Sequence, residues 1–83
     1  MTPITPTAAA TRSASLMQAL SNELHLPSQQ LYSFTRLHED LLLDTMDIDL
    51  LVAGLERKLG YYLTEEEASQ IETVGDIQHF FLR

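Results

Sequence analysis

The chain is 83 residues long, 45% apolar and 20% charged, the proportions of one small globular domain with no room for a second. Five Lys and Arg against twelve Asp and Glu leave a net charge of −7, which would repel a phosphate backbone and argues against nucleic acid as a partner. Cysteine is absent, which excludes disulfides, thiolate metal sites and a cysteine nucleophile, and no apolar run approaches the roughly 18 residues of a membrane span. Without staples a core of this size supplies only ~3–5 kcal/mol, so helix packing has to carry the fold; a small helical bundle in a cytoplasmic setting is expected.

Met1 to Arg12 combine two prolines, four threonines and three alanines with a single charge, too little apolar surface to offset the entropy of ordering. A flexible leader over 1–12 and a helical domain over 13–83 are expected. Leu16, Leu20 and Leu24 recur every four residues with Met17 beside them, which predicts an amphipathic helix from near Ser13 that ends before Pro27. From Pro27 to Leu43 no period is sustained, and an ordered loop pinned by Leu31, Phe34, Leu37 and Leu41 is expected.

Asp44 then has the place of an N-cap, with Asp47 in the acid-favouring first turn and Ile48, Leu51, Val52, Leu55 and Leu59 following at helical spacing. Gly60 is the natural stop. Thr64-Glu65-Glu66-Glu67 forms a capping box that opens a short helix through about Gln70. Thr73-Val74-Gly75-Asp76 caps a last helix whose Val74, Ile77, Phe80 and Phe81 point inward.

No constellation of catalytic groups is visible. His25, His38 and His79 never pair at helical spacing, so no zinc pattern forms, and Asp44, Asp47 and Asp49 lack the glycine and terminal glutamate of a calcium loop. The serines stand in no motif with a base and an orienting acid. The chain is therefore not expected to be an enzyme or to hold a metal.

The run Leu37-His38-Glu39-Asp40-Leu41-Leu42-Leu43-Asp44-Thr45-Met46-Asp47 is similar to the pattern F-x-x-D-L-G-x-D-S-L-[DE], and Leu51-Val52-Ala53-Gly54-Leu55-Glu56 follows it without a gap. Downstream, Leu63-Thr64-Glu65-Glu66-Glu67-Ala68 is similar to I-P-D-E-[ED]-A, and Ile71-Glu72-Thr73-Val74-Gly75-Asp76 to I-x-T-V-[GQ]-[DA]. On these residues, and over roughly Ser15 to Leu82, the chain resembles the acyl carrier protein family. The resemblance implies an all-α, four-helix bundle with a long loop between helices 1 and 2 and a short third helix. It also implies a phosphopantetheine arm held as a phosphodiester on the residue after Asp44.

Two departures fall on that site. The family's attachment serine is Thr45 here, a bulkier and more restricted hydroxyl, and its glycine two residues before Asp44 is Leu42. The position is thus expected to be degenerate, and phosphopantetheine doubtful. On helix 2 the inward stripe leaves Met46, Leu50 and Ala53 on another face, and the resemblance implies that this face docks partner enzymes inside a ring of acids. Here Glu39, Asp40, Asp47, Asp49 and Glu56 would supply the ring, and Arg57 and Lys58 depart from the family's acidic run. A monomer that docks to a protein with a basic and apolar patch, such as a carrier-dependent biosynthetic enzyme, is the leading expectation. The alternatives are a working acyl or peptidyl carrier modified on Thr45, in fatty-acid, polyketide or related biosynthesis, and a structural subunit whose apolar stripe closes a homodimer.

Overall fold

Helix caps organise the chain, and each is built from residues a few places apart. A computed structural model describes the backbone of residues 8–83; of the leader expected over 1–12, residues 1–7 lie outside the described residues. Helix α1 spans Ala8–Leu24, so it begins ahead of the expected Ser13 and takes in residues 8–12 that the sequence assigned to the leader. Ala8, Ala9 and Ala10 account for the difference, because alanine is the strongest helix former and needs no packing partner to favour the helix.

The end of α1 is set before Pro27 is reached. His25 adopts a left-handed conformation with φ 55°, and the Leu26 N–H donates back to the Ser21 carbonyl at 3.2 Å, the closing bond of a Schellman turn. A 3-10 turn follows at Ser28–Gln30. Helix α2 is Thr45–Leu59, α3 is Glu65–Ser69 and α4 is Val74–Phe81. The capping boxes expected of Thr64 with Glu67 and Thr73 with Asp76 are present, and the expected Asp44 N-cap forms a third, with Asp47 as its reciprocal partner. Gly60 ends α2 in the left-handed conformation, φ 68°, that glycine adopts without strain.

The described residues form an all-α bundle of four helices with a long α1–α2 loop and a short α3. Helix α1 packs along α2 and against α4. The core joins Leu16 and Leu20 of α1, Ile48, Leu51, Val52 and Leu55 of α2, and Val74, Ile77, Phe80 and Phe81 of α4, with Ile71 ahead of α4. Met17, Leu24 and Leu59 pack at its margin. Helix α3 fully buries none of its residues, but Ala68 packs at the core margin, as does Leu63 ahead of it.

The α1–α2 loop is anchored differently from the expectation at one position. Leu31 and Leu37 are buried and Leu41 packs at the core margin, but Phe34 is 73% exposed and stacks on Tyr32 with ring centroids 5.1 Å apart. The inward residue is Thr35. Its Oγ1 accepts from the Tyr32 N–H at 3.0 Å, and its carbonyl accepts from the Val74 N–H at 2.9 Å. The Gly75 N–H donates to the Ser33 carbonyl at 2.8 Å and the Leu37 N–H to the Glu72 carbonyl at 2.9 Å. The start of α4 therefore pins Ser33 and Thr35, and the Thr35 N–H donates to the Tyr32 carbonyl at 3.0 Å, closing a turn that carries Phe34 at its tip and leaves its ring outside.

Candidate functional site

The residues singled out by the resemblance lie at and before the first turn of α2. Asp44 Oδ1 accepts from the Asp47 N–H at 2.8 Å and Asp47 Oδ2 accepts from the Asp44 N–H at 3.1 Å. This reciprocal pair leaves Thr45 as the first helical residue, exposed, where unpaired amides and the helix dipole favour negative charge.

Leu42 has an unusual conformation. Its φ is 58°, in the left-handed region that costs a leucine about 1–2 kcal/mol, and its side chain is 83% exposed. The backbone around it explains why. The Leu41 N–H donates to the Arg36 carbonyl at 3.2 Å and the Leu43 N–H to the Leu37 carbonyl at 3.0 Å, while both leucines pack against the core. His38 holds the same turn through Nδ1, 2.7 Å from the Leu43 carbonyl. With Leu41 and Leu43 turned inward, the residue between them reverses the chain and points out.

Thr45 borders a groove of about 500 Å³ between the start of α2 and α3, lined also by His38, Ile48, Asp49, Glu65 and Ile71. The helix terminus and the groove suit the phosphate and the arm of phosphopantetheine. That group, when bound, supplies a thiol on which an acyl chain is carried as a thioester. Thr45 would hold it and the α2 amides would face its phosphate. Thr45 carries a branched Cβ, and Leu42, three residues before it, is exposed.

The expected docking face is only partly exposed. Met46 and Leu50 are 71% and 64% exposed, whereas Ala53 is half-buried. Leu50 also lines an open groove of about 300 Å³ with Leu24, Leu43 and Leu51 beside the end of α1. The acids divide by what already engages them. Arg36 pairs with Glu39 and, at 3.2 Å, with Asp40. The Asp40 carboxyl is held below the usual carboxylate range by the Arg36 backbone N–H, and then by the guanidinium. Glu56 is half-buried and accepts from the Leu63 N–H at 2.8 Å, which fastens the α2–α3 connection. Asp47 sits in the capping box, and Asp49 is exposed at the groove. Arg36 was not among the residues singled out from sequence; its i,i+3 and i,i+4 spacing to Glu39 and Asp40 was the available signal. Among the described residues no group of His, Asp and Glu is placed to hold a metal ion, and no helix is long and apolar enough to cross a membrane.

No family model matches the chain. Individual proteins do. It is 34% identical over 65 residues to an acyl carrier protein of Saccharopolyspora erythraea, covering 78% of this chain and 68% of that protein. It is 36% identical over 66 residues to the acyl carrier protein MbtL of Mycolicibacterium paratuberculosis, covering 80% and 74%. To an acyl carrier protein of Wolinella succinogenes it is 29% identical over 65 residues, covering 78% and 86%. This similarity runs through most of a four-helix bundle that presents a hydroxyl directly after the α2 cap, and the chain belongs to the acyl carrier protein family, whose members are carriers and not enzymes.

Proposed function

We propose that the protein acts through the exposed face of α2, docking to a carrier-dependent biosynthetic enzyme, and that Thr45 is a disabled attachment position. The observation that carries this reading is the exposure of Met46 and Leu50, one helical turn apart, on a helix whose inner face is fully used by the core. Two large apolar side chains in water contribute nothing to folding, and a face of this kind gains by being covered. The negative charge of the chain favours a partner whose apolar patch is flanked by Lys and Arg.

A second reading keeps the arm. Thr45 is exposed, follows a helix cap and borders a groove, which favours a carrier in which threonine accepts phosphopantetheine. One experiment separates the two: intact mass after incubation with coenzyme A, magnesium and a broad-specificity phosphopantetheinyl transferase, with Thr45→Ser and Thr45→Ala alongside. The first reading expects a mass gain only in the serine variant. A gain in the wild-type chain that Thr45→Ala abolishes would replace it with the second.

A further inference from the structure

Leu42 is costly in two ways at once. Its backbone is left-handed, φ 58°, and among the described residues its side chain is the most exposed of the large apolar ones, at 83%. Glycine would hold the same turn without strain, and a polar residue would sit in water without loss. Neither the core nor any hydrogen bond given by the turn uses the Leu42 side chain, since Leu41 and Leu43 make the packing and the backbone makes the bonds. A strained residue whose side chain serves nothing inside the fold points to a use outside it.

The surroundings define what would cover it. Leu42 stands two residues ahead of the Asp44 cap, at the same end of α2 as Met46, and Leu50 continues the exposed apolar stripe. From Arg36 to Glu56 the chain has six acidic residues against one Arg, and Arg36 is taken up by Glu39 and Asp40, so Asp44, Asp47, Asp49 and Glu56 face no Lys or Arg within this stretch. We infer that Leu42 is an anchoring residue for a protein partner, its side chain entering an apolar pocket rimmed by Lys or Arg that also receives Met46. This rests on the α2 docking reading above and adds to it a residue outside the helix, three positions before Thr45.

The geometry makes the role separable from a structural one, because the two effects of removing Leu42 have opposite signs. Leu42→Gly should raise the melting temperature by relieving strain and at the same time weaken docking. Leu42→Ala keeps the strain and loses only the side chain, so it should weaken docking without the gain in stability. The probe is a synthetic amphipathic helix of leucine and lysine, about 14 residues long, titrated into the full chain and followed by amide NMR shifts and calorimetry. The wild-type chain should bind with shifts centred on residues 42–50, and both Leu42 variants should bind roughly tenfold more weakly. Wild-type affinity in both variants, with binding lost in Met46→Glu, would overturn the role of Leu42 and leave α2 docking intact. No binding by the wild-type chain, or full binding by Met46→Glu, would overturn α2 docking and the role of Leu42 with it.

Discussion

The carboxyl group of Glu23 on α1 occupies the space that a side chain at Gly54 on α2 would enter: a Cβ there would lie 2.8 Å from the carboxyl carbon. Glu23 continues past the glycine to pair with Lys58 at 3.2 Å. A second helical glycine has a different neighbour, since a Cβ at Gly75 would lie 2.7 Å from the backbone carbonyl oxygen of Ser33. A carboxyl group can swing aside, but a carbonyl pinned by the Gly75 N–H cannot. Gly54→Ala should therefore be neutral or stabilising, because the gain of about 1 kcal/mol in helix propensity exceeds the ~0.5 kcal/mol of a half-exposed ion pair. Gly75→Ala should lose about 1–3 kcal/mol. Urea unfolding followed by circular dichroism checks both, and equal losses at the two sites would refute the distinction.

The three capping boxes are alike in sequence and unequal in bonding. Asp76 Oδ2 accepts from two backbone groups, Glu72 N–H at 2.8 Å and Thr73 N–H at 3.0 Å, whereas Asp47 accepts from Asp44 N–H alone. Asp76 is also the more buried of the two. Asp76→Ala should cost about 1–2 kcal/mol and Asp47→Ala about 0.5–1 kcal/mol, measured as shifts in the urea midpoint at constant slope.

Within the α1–α2 loop, two residues that look equivalent in sequence should respond oppositely to truncation. Leu37 is fully buried, so Leu37→Ala should cost about 2–5 kcal/mol, enough to unfold much of a domain this small. Phe34 is 73% exposed, and Phe34→Ser should change stability by less than about 0.5 kcal/mol. A large loss at Phe34 in thermal unfolding would contradict the outward placement of its ring.

Arg83 ties the end of α4 to α3 by donating to Glu67, and to Tyr61 Oη at 3.1 Å. The Glu67 carboxyl lies below its ordinary pKa of 4.5, first because the Thr64 backbone N–H donates to it and then because of Arg83. A carboxyl depressed in the folded state stabilises in full above the unfolded value and loses that contribution as the pH falls through the folded one. Stability should thus fall below pH 4.5, and Glu67→Gln should flatten that part of the profile while leaving the higher range parallel. Urea midpoints taken across the range check this. Profiles that stay parallel throughout would show that Glu67 does not contribute.

Sequence alone was sufficient wherever the deciding chemistry is local. The Asp44 cap, the Gly60 stop, both downstream capping boxes and the inward stripe of α2 each depend on residues within a turn or two of one another, so spacing and side-chain type settle them. The family pattern around Asp44 and Thr45 was visible for the same reason. Tertiary structure decided what depends on distant backbone. Phe34 faces water and Thr35 faces in because the first amides of α4 pair with the Ser33 and Thr35 carbonyls. Ala53 is half-buried although it lies off the main inward stripe, whereas the engagement of Glu39 and Asp40 by Arg36 is local, at i,i+3 and i,i+4. Leu42 carries the sharpest case: its side chain type was plain, but its left-handed backbone follows only from the packing of Leu41 and Leu43 on either side, since hydrophobicity cannot say which leucine in a run of three will be the one left outside.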